Sequence, residues 1–561
     1  MMAVSHDDEI FAPVLSAYER LVLLALILLW LLGSISFWYW SIQPSVWVNF
    51  YGTLLNLALL IYVTAIPLWP FLLLARMKQV RADLPVPTHL RVAMVVTKAP
   101  SEPWPLVQQT LMAMLEQSPK HDTWLADEAP TEHVRQWCLQ HGVSLSTRVN
   151  DPEYHRPAWP RRSRCKEGNL AFFYDHYGYD NYDVVVQLDA DHVPQSGYLL
   201  AILQPFNNPE IGYVAAPSIC DLNASRSWVA RGRLFAEAML HGPMQLGFNH
   251  GLAPLCIGSH YAVRTRALRD IGGLGPELAE DHSTTLFLNA KCWKGAFAHR
   301  AICHGLGPES FEDAMVQEFQ WSRSLTIIFF RHLPAKLKYL PTALRLQFLY
   351  AQIFYPLRAL LGLTGLVLPV LALIIDCPWM RVNYPNFLAL STLQVLLTVL
   401  PVLQVRRCAL LRPASAPIFS WEQALFELSR GPWILAGVIK AVDECIRPRP
   451  TDFKVTQKHA RTLPLPVRFL VPYHLSAGIG LATIFVFADL SKSARGYVLL
   501  TLVSALLFSL TALMVSCLSH HQSRQPFKQH CLQIGVSLLV FSAGILLACW
   551  RKSDIIDVFH F

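Results

Sequence analysis

Residues Val184–Leu200 read VVVQLDADHVPQSGYLL. The opening VVVQL is a short apolar, β-branched run, the pattern of a strand buried on both faces. It stops on Asp189 and Asp191, so both acids fall at the carboxyl end of a strand, where ligands of open α/β sheets collect. Paired carboxylate oxygens in that place suit a divalent cation held against a diphosphate. Working outward, Leu90–Thr97 (LRVAMVVT) reads as a strand and Pro105–Gln117 as a helix. Thr123–Ala126 is a short strand leading into Asp127 and Glu128, and Asn169–His176 precedes the Val184–Leu188 strand. Strands alternating with helices predict an α/β domain with a mainly parallel sheet. Asp127 and Asp189 both lie at strand ends of such a sheet.

The rest of the chain is built for lipid. Of 561 residues, 53% are hydrophobic and 15% charged, against about a quarter charged in an ordinary soluble chain. Mean hydropathy is +0.32. The apolarity is clumped into seven stretches long enough to cross a hydrocarbon layer of about 30 Å: Leu21–Trp38, Leu54–Leu74, Phe348–Ile375, Phe387–Val405, Phe469–Phe487, Tyr497–Leu518 and Ile534–Trp550. Met1–Arg20 lacks a basic n-region, so the first span reads as a retained anchor. Phe330–Gln347 and Phe419–Val442 are amphipathic and expected to lie along the interface. The twelve cysteines include no CxxC or Cys/His ligand spacing, so neither a zinc site nor a disulfide framework is expected.

The formal charge of +8 matters by location. Arg76, Lys78 and Arg81 follow the second span, Arg406, Arg407 and Arg412 the fourth, and Arg524 and Lys528 separate the sixth from the seventh. The positive-inside rule makes these loops, and the polar insert after the second span, cytoplasmic. Because the basic residues flank spans and form no interleaved stripe, no nucleic-acid partner is expected. The predicted organisation is N-terminal transmembrane helices over residues 1–84 and a catalytic domain over 85–330. Interface helices, a basic loop and the remaining spans occupy 331–561.

Five more segments accompany the Asp189-Ala190-Asp191-His192 element: Lys166-Glu167-Gly168-Asn169-Leu170, Leu255-Cys256-Ile257-Gly258-Ser259, Ala279-Glu280-Asp281-His282, Gln317-Glu318-Phe319-Gln320-Trp321 and Phe453-Lys454-Val455-Thr456-Gln457-Lys458. From about Leu90 to Lys458 the set resembles the motifs of processive, membrane-integrated family 2 glycosyltransferases, most closely the bacterial cellulose synthase catalytic subunit. That resemblance implies an α/β GT-A domain inserted in an α-helical transmembrane domain. It implies that Asp189 and Asp191 hold Mg²⁺ or Mn²⁺, that Asp127 contacts the uridine and that Lys166 faces the pyrophosphate, with Asp189 also meeting the donor. Asp281, beside Glu280, takes the place of the base that an inverting transfer needs at the acceptor hydroxyl. Trp321 offers a flat face for a sugar and Gln317 a partner for its hydroxyls. Phe453 and Thr456 take the place of a gating loop that folds over bound UDP and excludes water.

The chain departs from the family at three places. Ala279 stands for a threonine, LCIGS lacks an aromatic pair, and Gln320 stands for an arginine, for which Arg323 is the expected substitute. Nothing after Val442 resembles the cyclic di-GMP-binding PilZ module of many relatives, so direct activation through such a module is not expected. The implied activity is polymerisation of a UDP-sugar, UDP-glucose first, into a β-linked glucan, cellulose first, by a multi-pass protein of the bacterial inner membrane. The implied partners are the UDP-sugar donor, the growing polysaccharide and membrane lipid, with a periplasmic accessory subunit as a further candidate whose docking place, the outward loops or the seventh span, the sequence leaves open. The alternatives are a chitin or other β-polysaccharide synthase, a non-processive transferase to a lipid carrier, and a non-catalytic channel or scaffold.

Overall fold

Two apolar helices open the chain in the computed structural model, which describes residues 10–447, 465–487, 489, 494–523 and 528–559. Helix α1 (Ala17–Ser41) starts at a reciprocal cap, with the Ser16 hydroxyl accepting from Glu19 N–H and Glu19 reaching back to Ser16 N–H. Helix α2 (Phe50–Leu74) follows, and from its end the chain enters the α/β domain.

Strand β1 (Val92–Lys98) leads to helix α3 (Trp104–Leu115), strand β2 (Asp122–Asp127) and strand β3 (Ser144–Ser146). Helix α4 (Lys166–Phe173) precedes strand β4 (Val184–Leu188). Strand β5 (Ile211–Ala215), helix α5 (Trp228–Ala236), strand β6 (His260–Arg264), helix α6 (Glu280–Ala290) and strand β7 (Lys294–Phe297) complete the domain. The sheet order is β7-β5-β6-β4-β1-β2-β3. β1, β2, β3 and β4 run parallel, as do β5 and β7. β6 lies antiparallel to both β4 and β5, so six of the seven strands share one direction: the sheet is mainly parallel, as expected, with one reversed strand inside it. Both its faces are covered, which is why β4 reads as an unbroken apolar run. Val184, Val186 and Leu188 pack with Val107, Leu111 and Met114 of α3, while Val185 turns to Leu170 and Phe173 of α4.

Helix α7 (Phe311–Ile327) carries the chain out of the domain toward helix α8 (Thr342–Ile374), helix α9 (Tyr384–Arg407), helix α10 (Trp421–Ser429) and helix α11 (Gly431–Ile446). Helices α12 (Val471–Phe487), α13 (Gly496–Ser523) and α14 (Lys528–Trp550) follow. Among the described residues six helices are long and apolar enough to cross a membrane: α1, α2, α8, α9, Gly496–His521 and Cys531–Trp550. The fifth of the seven expected spans is α12, which has only 17 residues, about 25 Å of helix.

Two expectations change in detail. The interface segment Phe330–Gln347 divides, with Leu333–Leu337 forming its own short helix and α8 beginning at Thr342, before the expected start of the third span. Phe419–Val442 is two helices meeting at Arg430, because Pro432 begins a new helix well and cannot continue the old one. Helix α10 packs on α5, and α11 packs on α7 and α8. An α/β domain set among membrane helices is thus the observed architecture.

Candidate active site

The carboxyl end of β4 faces a cavity of about 650 Å³ that reaches from the sheet to α8. Asp189 and Asp191 line it together with His192, and their ligating atoms lie within 4.8 Å of one another. Asp189 is about one-third exposed, whereas Asp191 is buried and accepts from Leu306 N–H at 3.2 Å. Gly305 is required here: a Cβ would stand 2.4 Å from the His192 ring. Burial opposes a charge on that ring, but Asp191, 3.3 Å away, outweighs it and raises the imidazole pKa to about 10.

Lys166 begins α4 and extends its ammonium to Asp189 Oδ1 at 2.7 Å and to the Gly258 carbonyl at 2.5 Å. The ammonium group is therefore committed to a metal-ligand candidate and to the LCIGS loop. Asp281 stands at the same spot, since a Cβ on Gly258 would lie 3.3 Å from its Oδ2. Glu280 and Asp281 form the first turn of α6, where the helix dipole favours anions. Ala279 leaves that helix without a side-chain cap, and its N–H donates instead to Ser324 Oγ at 2.9 Å. Glu280 is buried with Oε1 unpartnered. Burial, then the Asp281 charge, raise its pKa above the ordinary carboxylate range against the pull of Lys166.

Gln317, Gln320 and Trp321 line the far end of the cavity from one face of α7, beside Tyr355 of α8. Arg323 is not with them. It does not line the cavity but donates from Nε to Glu444 Oε2 of α11 at 2.9 Å, so the expectation that it replaces the missing arginine is corrected. A different residue brings the charge there. Arg233 of α5 stands 4.4 Å over the Trp321 ring, donates to Gln317 Oε1 at 2.8 Å and pairs with Glu237 at 3.1 Å. Sequence reading missed it because helix α5 carries no motif of its own and meets α7 only in the folded chain.

Asp127 ends β2 as expected but is fully buried below the cavity wall. Its Oδ1 accepts from Lys98 Nζ at 3.1 Å and from Ala129 N–H at 2.9 Å, and its Oδ2 has no partner among the described residues. Lys98 and Glu128 line the cavity above it. Asn169 ties the two motifs by donating to the Ala126 carbonyl at 2.8 Å. Phe453 and Thr456 lie outside the described residues.

Residues 184–403 match the family described as glycosyl transferase family group 2. The cellulose synthase catalytic subunit (UDP-forming) of Xanthomonas axonopodis pv. citri is 25% identical over 210 residues, covering 36% of this chain and 27% of that protein. The Komagataeibacter sucrofermentans subunit of the same name is 26% identical over 160 residues, covering 26% and 20%. The likeness therefore spans about a quarter of the length of these relatives. Among solved structures, a mannosyltransferase from Pyrobaculum calidifontis in complex with GDP-Man and Mn²⁺ aligns at TM-score 0.41 and 16% identity, over 68% of this chain and 97% of that one. Glucosyl-3-phosphoglycerate synthase from Mycobacterium tuberculosis, with Mn²⁺ and UDP, aligns at TM-score 0.26 and 16% identity, over 39% and 72%.

Proposed function

We infer, from the premise that this membrane protein carries a family 2 glycosyltransferase domain of the GT-A kind, that it polymerises a UDP-sugar into a β-linked polysaccharide and passes the product across the membrane that holds it. UDP-glucose and cellulose are the first choice of donor and product. The observation that carries the reading is the single cavity, which joins the Asp189–Asp191 pair, the Glu280–Asp281 pair, Trp321 and the membrane helix residue Tyr355.

The donor set suits a divalent cation: the hard carboxylate oxygens of Asp189 and Asp191 lie within 4.8 Å of each other, and Asp281 stands on the same side of the cavity. When bound, Mg²⁺ or Mn²⁺ supplies Lewis-acid stabilisation of charge on the departing diphosphate. Asp189 and Asp191 hold it, and Lys166 fixes the orientation of Asp189. Asp281 removes the proton from the acceptor hydroxyl as that oxygen attacks the anomeric carbon and the bond to UDP breaks, inverting the configuration. Trp321 and Gln317, braced by Arg233, hold the acceptor sugar, with one ring face available for stacking. Lys98 and Glu128 form the cavity wall proposed to meet the nucleoside, and Asp127, buried beneath that wall, acts by holding Lys98. Phe453 and Thr456 belong to the segment proposed to cover bound UDP. Basic loops after α2 and α9 support a cytoplasmic catalytic domain in a bacterial inner membrane, with export outward.

Purified protein in nanodiscs, supplied in turn with several UDP-sugars and Mn²⁺ or Mg²⁺, tests this reading. The expected result is metal-dependent UDP release with UDP-glucose and a long β-linked glucan by product sizing and linkage analysis. A product one sugar long would assign the chain to lipid-carrier transfer. No UDP release from any donor would leave a channel or scaffold.

A further inference from the structure

Four lysine and arginine side chains line the cavity: Lys98, Arg164, Lys166 and Arg233. Three are already in ion pairs, Lys98 with Asp127 at 3.1 Å, Lys166 with Asp189 at 2.7 Å and Arg233 with Glu237 at 3.1 Å. Arg164 is exposed to the cavity and has no ion pair or hydrogen bond among the described residues. Its backbone sits at φ +51°, in the left-handed region, a conformation that costs a non-glycine residue energy and persists only where the surroundings enforce it.

The surroundings do enforce it. Arg148, wholly buried, donates to the carbonyls of Tyr154 at 2.6 Å, Arg162 at 2.7 Å and Cys165 at 3.2 Å, and pairs with Glu128. Glu167, also buried, accepts from the N–H groups of Arg161 at 2.8 Å and Arg162 at 3.1 Å. Two further bonds, Trp159 Nε1 to the Leu274 carbonyl at 2.8 Å and Arg162 Nη2 to the Glu277 carbonyl at 2.9 Å, tie the outside of the loop to the α6 approach. A loop fastened at this many points presents Arg164 in one place, next to the start of α4, whose dipole adds positive potential there.

We propose that Arg164 is the side chain that grips the donor's diphosphate, while Lys166 acts as a positioning residue for Asp189 and the Gly258 carbonyl. The proposal rests on the nucleotide-sugar reading above and deepens it. A guanidinium with its donors unused can bind two phosphate oxygens at once. Lys166, by contrast, would have to leave one of its two acceptors to do so. The cavity is otherwise rich in carboxylates, so an incoming diphosphate needs a cation that no resident acid has already neutralised.

Calorimetry on the full-length protein in nanodiscs with Mn²⁺ tests this, using UDP, GDP, inorganic pyrophosphate and uridine as probes. Arg164→Ala is expected to weaken UDP and pyrophosphate by about tenfold to hundredfold, the range of a lost charge-assisted hydrogen bond. Uridine affinity and the melting temperature stay within twofold and about a degree of wild type, and Arg164→Lys recovers part of the loss. Unchanged UDP affinity in Arg164→Ala overturns the proposal. So does an equal loss for uridine, which marks a collapsed loop. If the wild-type protein binds neither UDP, GDP nor pyrophosphate, the nucleotide-sugar reading fails and this proposal with it; wild-type binding with an indifferent Arg164 sinks the proposal alone.

Discussion

Glu280 and Asp281 are neighbours in different surroundings. Asp281 faces Gly258 and the Asp189 side of the cavity, where an acceptor hydroxyl would meet the donor. Asp281→Asn is expected to lower transfer by at least a hundredfold, the range of a lost general base, with UDP binding intact; near-normal synthesis would remove Asp281 from that role. Glu280 is the buried member, whose pKa burial raises. Its charge is therefore costly when both states are ionised, and that cost is relieved as pH falls from above the raised value toward 4.5, where the folded form takes up a proton first. Thermal melts without added metal should show stability rising over that window on acidification, and Glu280→Gln should flatten the slope; an unchanged slope refutes the assignment.

At this scale the sequence was legible wherever chemistry and local pattern coincide. Asp189 and Asp191 could be read because a β-branched run ends on them. Arg323 was misread because spacing does not decide its surroundings: it lies about 200° from Trp321 but only about 60° from Gln320 around the helix, and what takes it from the cavity is Glu444, 121 residues away in sequence. Arg233 carried no such signal, because it meets Gln317 across 84 residues of sequence.

Elements explain why the motifs have their spacing. A Cβ at Gly168 would stand 2.0 Å from the Arg162 carbonyl and 2.2 Å from Arg148 Nη1, so α4 must present a glycine where the Arg148-held loop presses on it. Gly168→Ala should cost about 1–3 kcal/mol in thermal or chemical unfolding and weaken UDP binding as the loop shifts. A melting temperature equal to wild type would show that the loop yields freely. The α7–α11 contact makes a contrasting case. Arg323 and Glu444 are both buried, so Arg323→Ala strips a buried carboxylate of its nearer partner, leaving Lys440 at 3.7 Å, at a cost of about 3 kcal/mol. The double change with Glu444→Ala should recover much of that, and folded single-mutant protein should keep its UDP affinity. A selective loss of UDP affinity would return Arg323 to the binding site. The alternation of strands and helices gave the shared direction of six strands, but the reversal of β6 lay beyond the sequence: the period of two is the same either way round, and only pairing reveals it.

On the scale of the whole molecule, the α/β domain and the apolar helices pack into shared cores. Leu325 and Ile328 at the end of α7 pack with Phe348, Tyr355 and Ala359 of α8 and with Ile434 of α11. Trp228 of α5 and Phe311 of α7 pack with Phe426 of α10 and with Tyr473 and Val515 of α12 and α13. Composition and periodicity drew a boundary near residue 330, where the polar pattern gives way to amphipathic and then apolar chain, but they say nothing of what covers α7. A fragment of residues 85–330 would expose those apolar side chains and strip Arg323, Glu318 and Arg231 of Glu444, Arg430 and Glu422. An exposed apolar face of this kind together with unpaired buried charge is the recipe for aggregation or loss of fixed packing. The fragment is therefore expected to elute as aggregate, or to keep helical and strand signal while losing near-ultraviolet dichroism, and to bind UDP at least tenfold more weakly than the full chain. A monodisperse, protease-resistant fragment with full UDP affinity would show that the sheet and its loops form the site unaided, and that the membrane helices serve only the product.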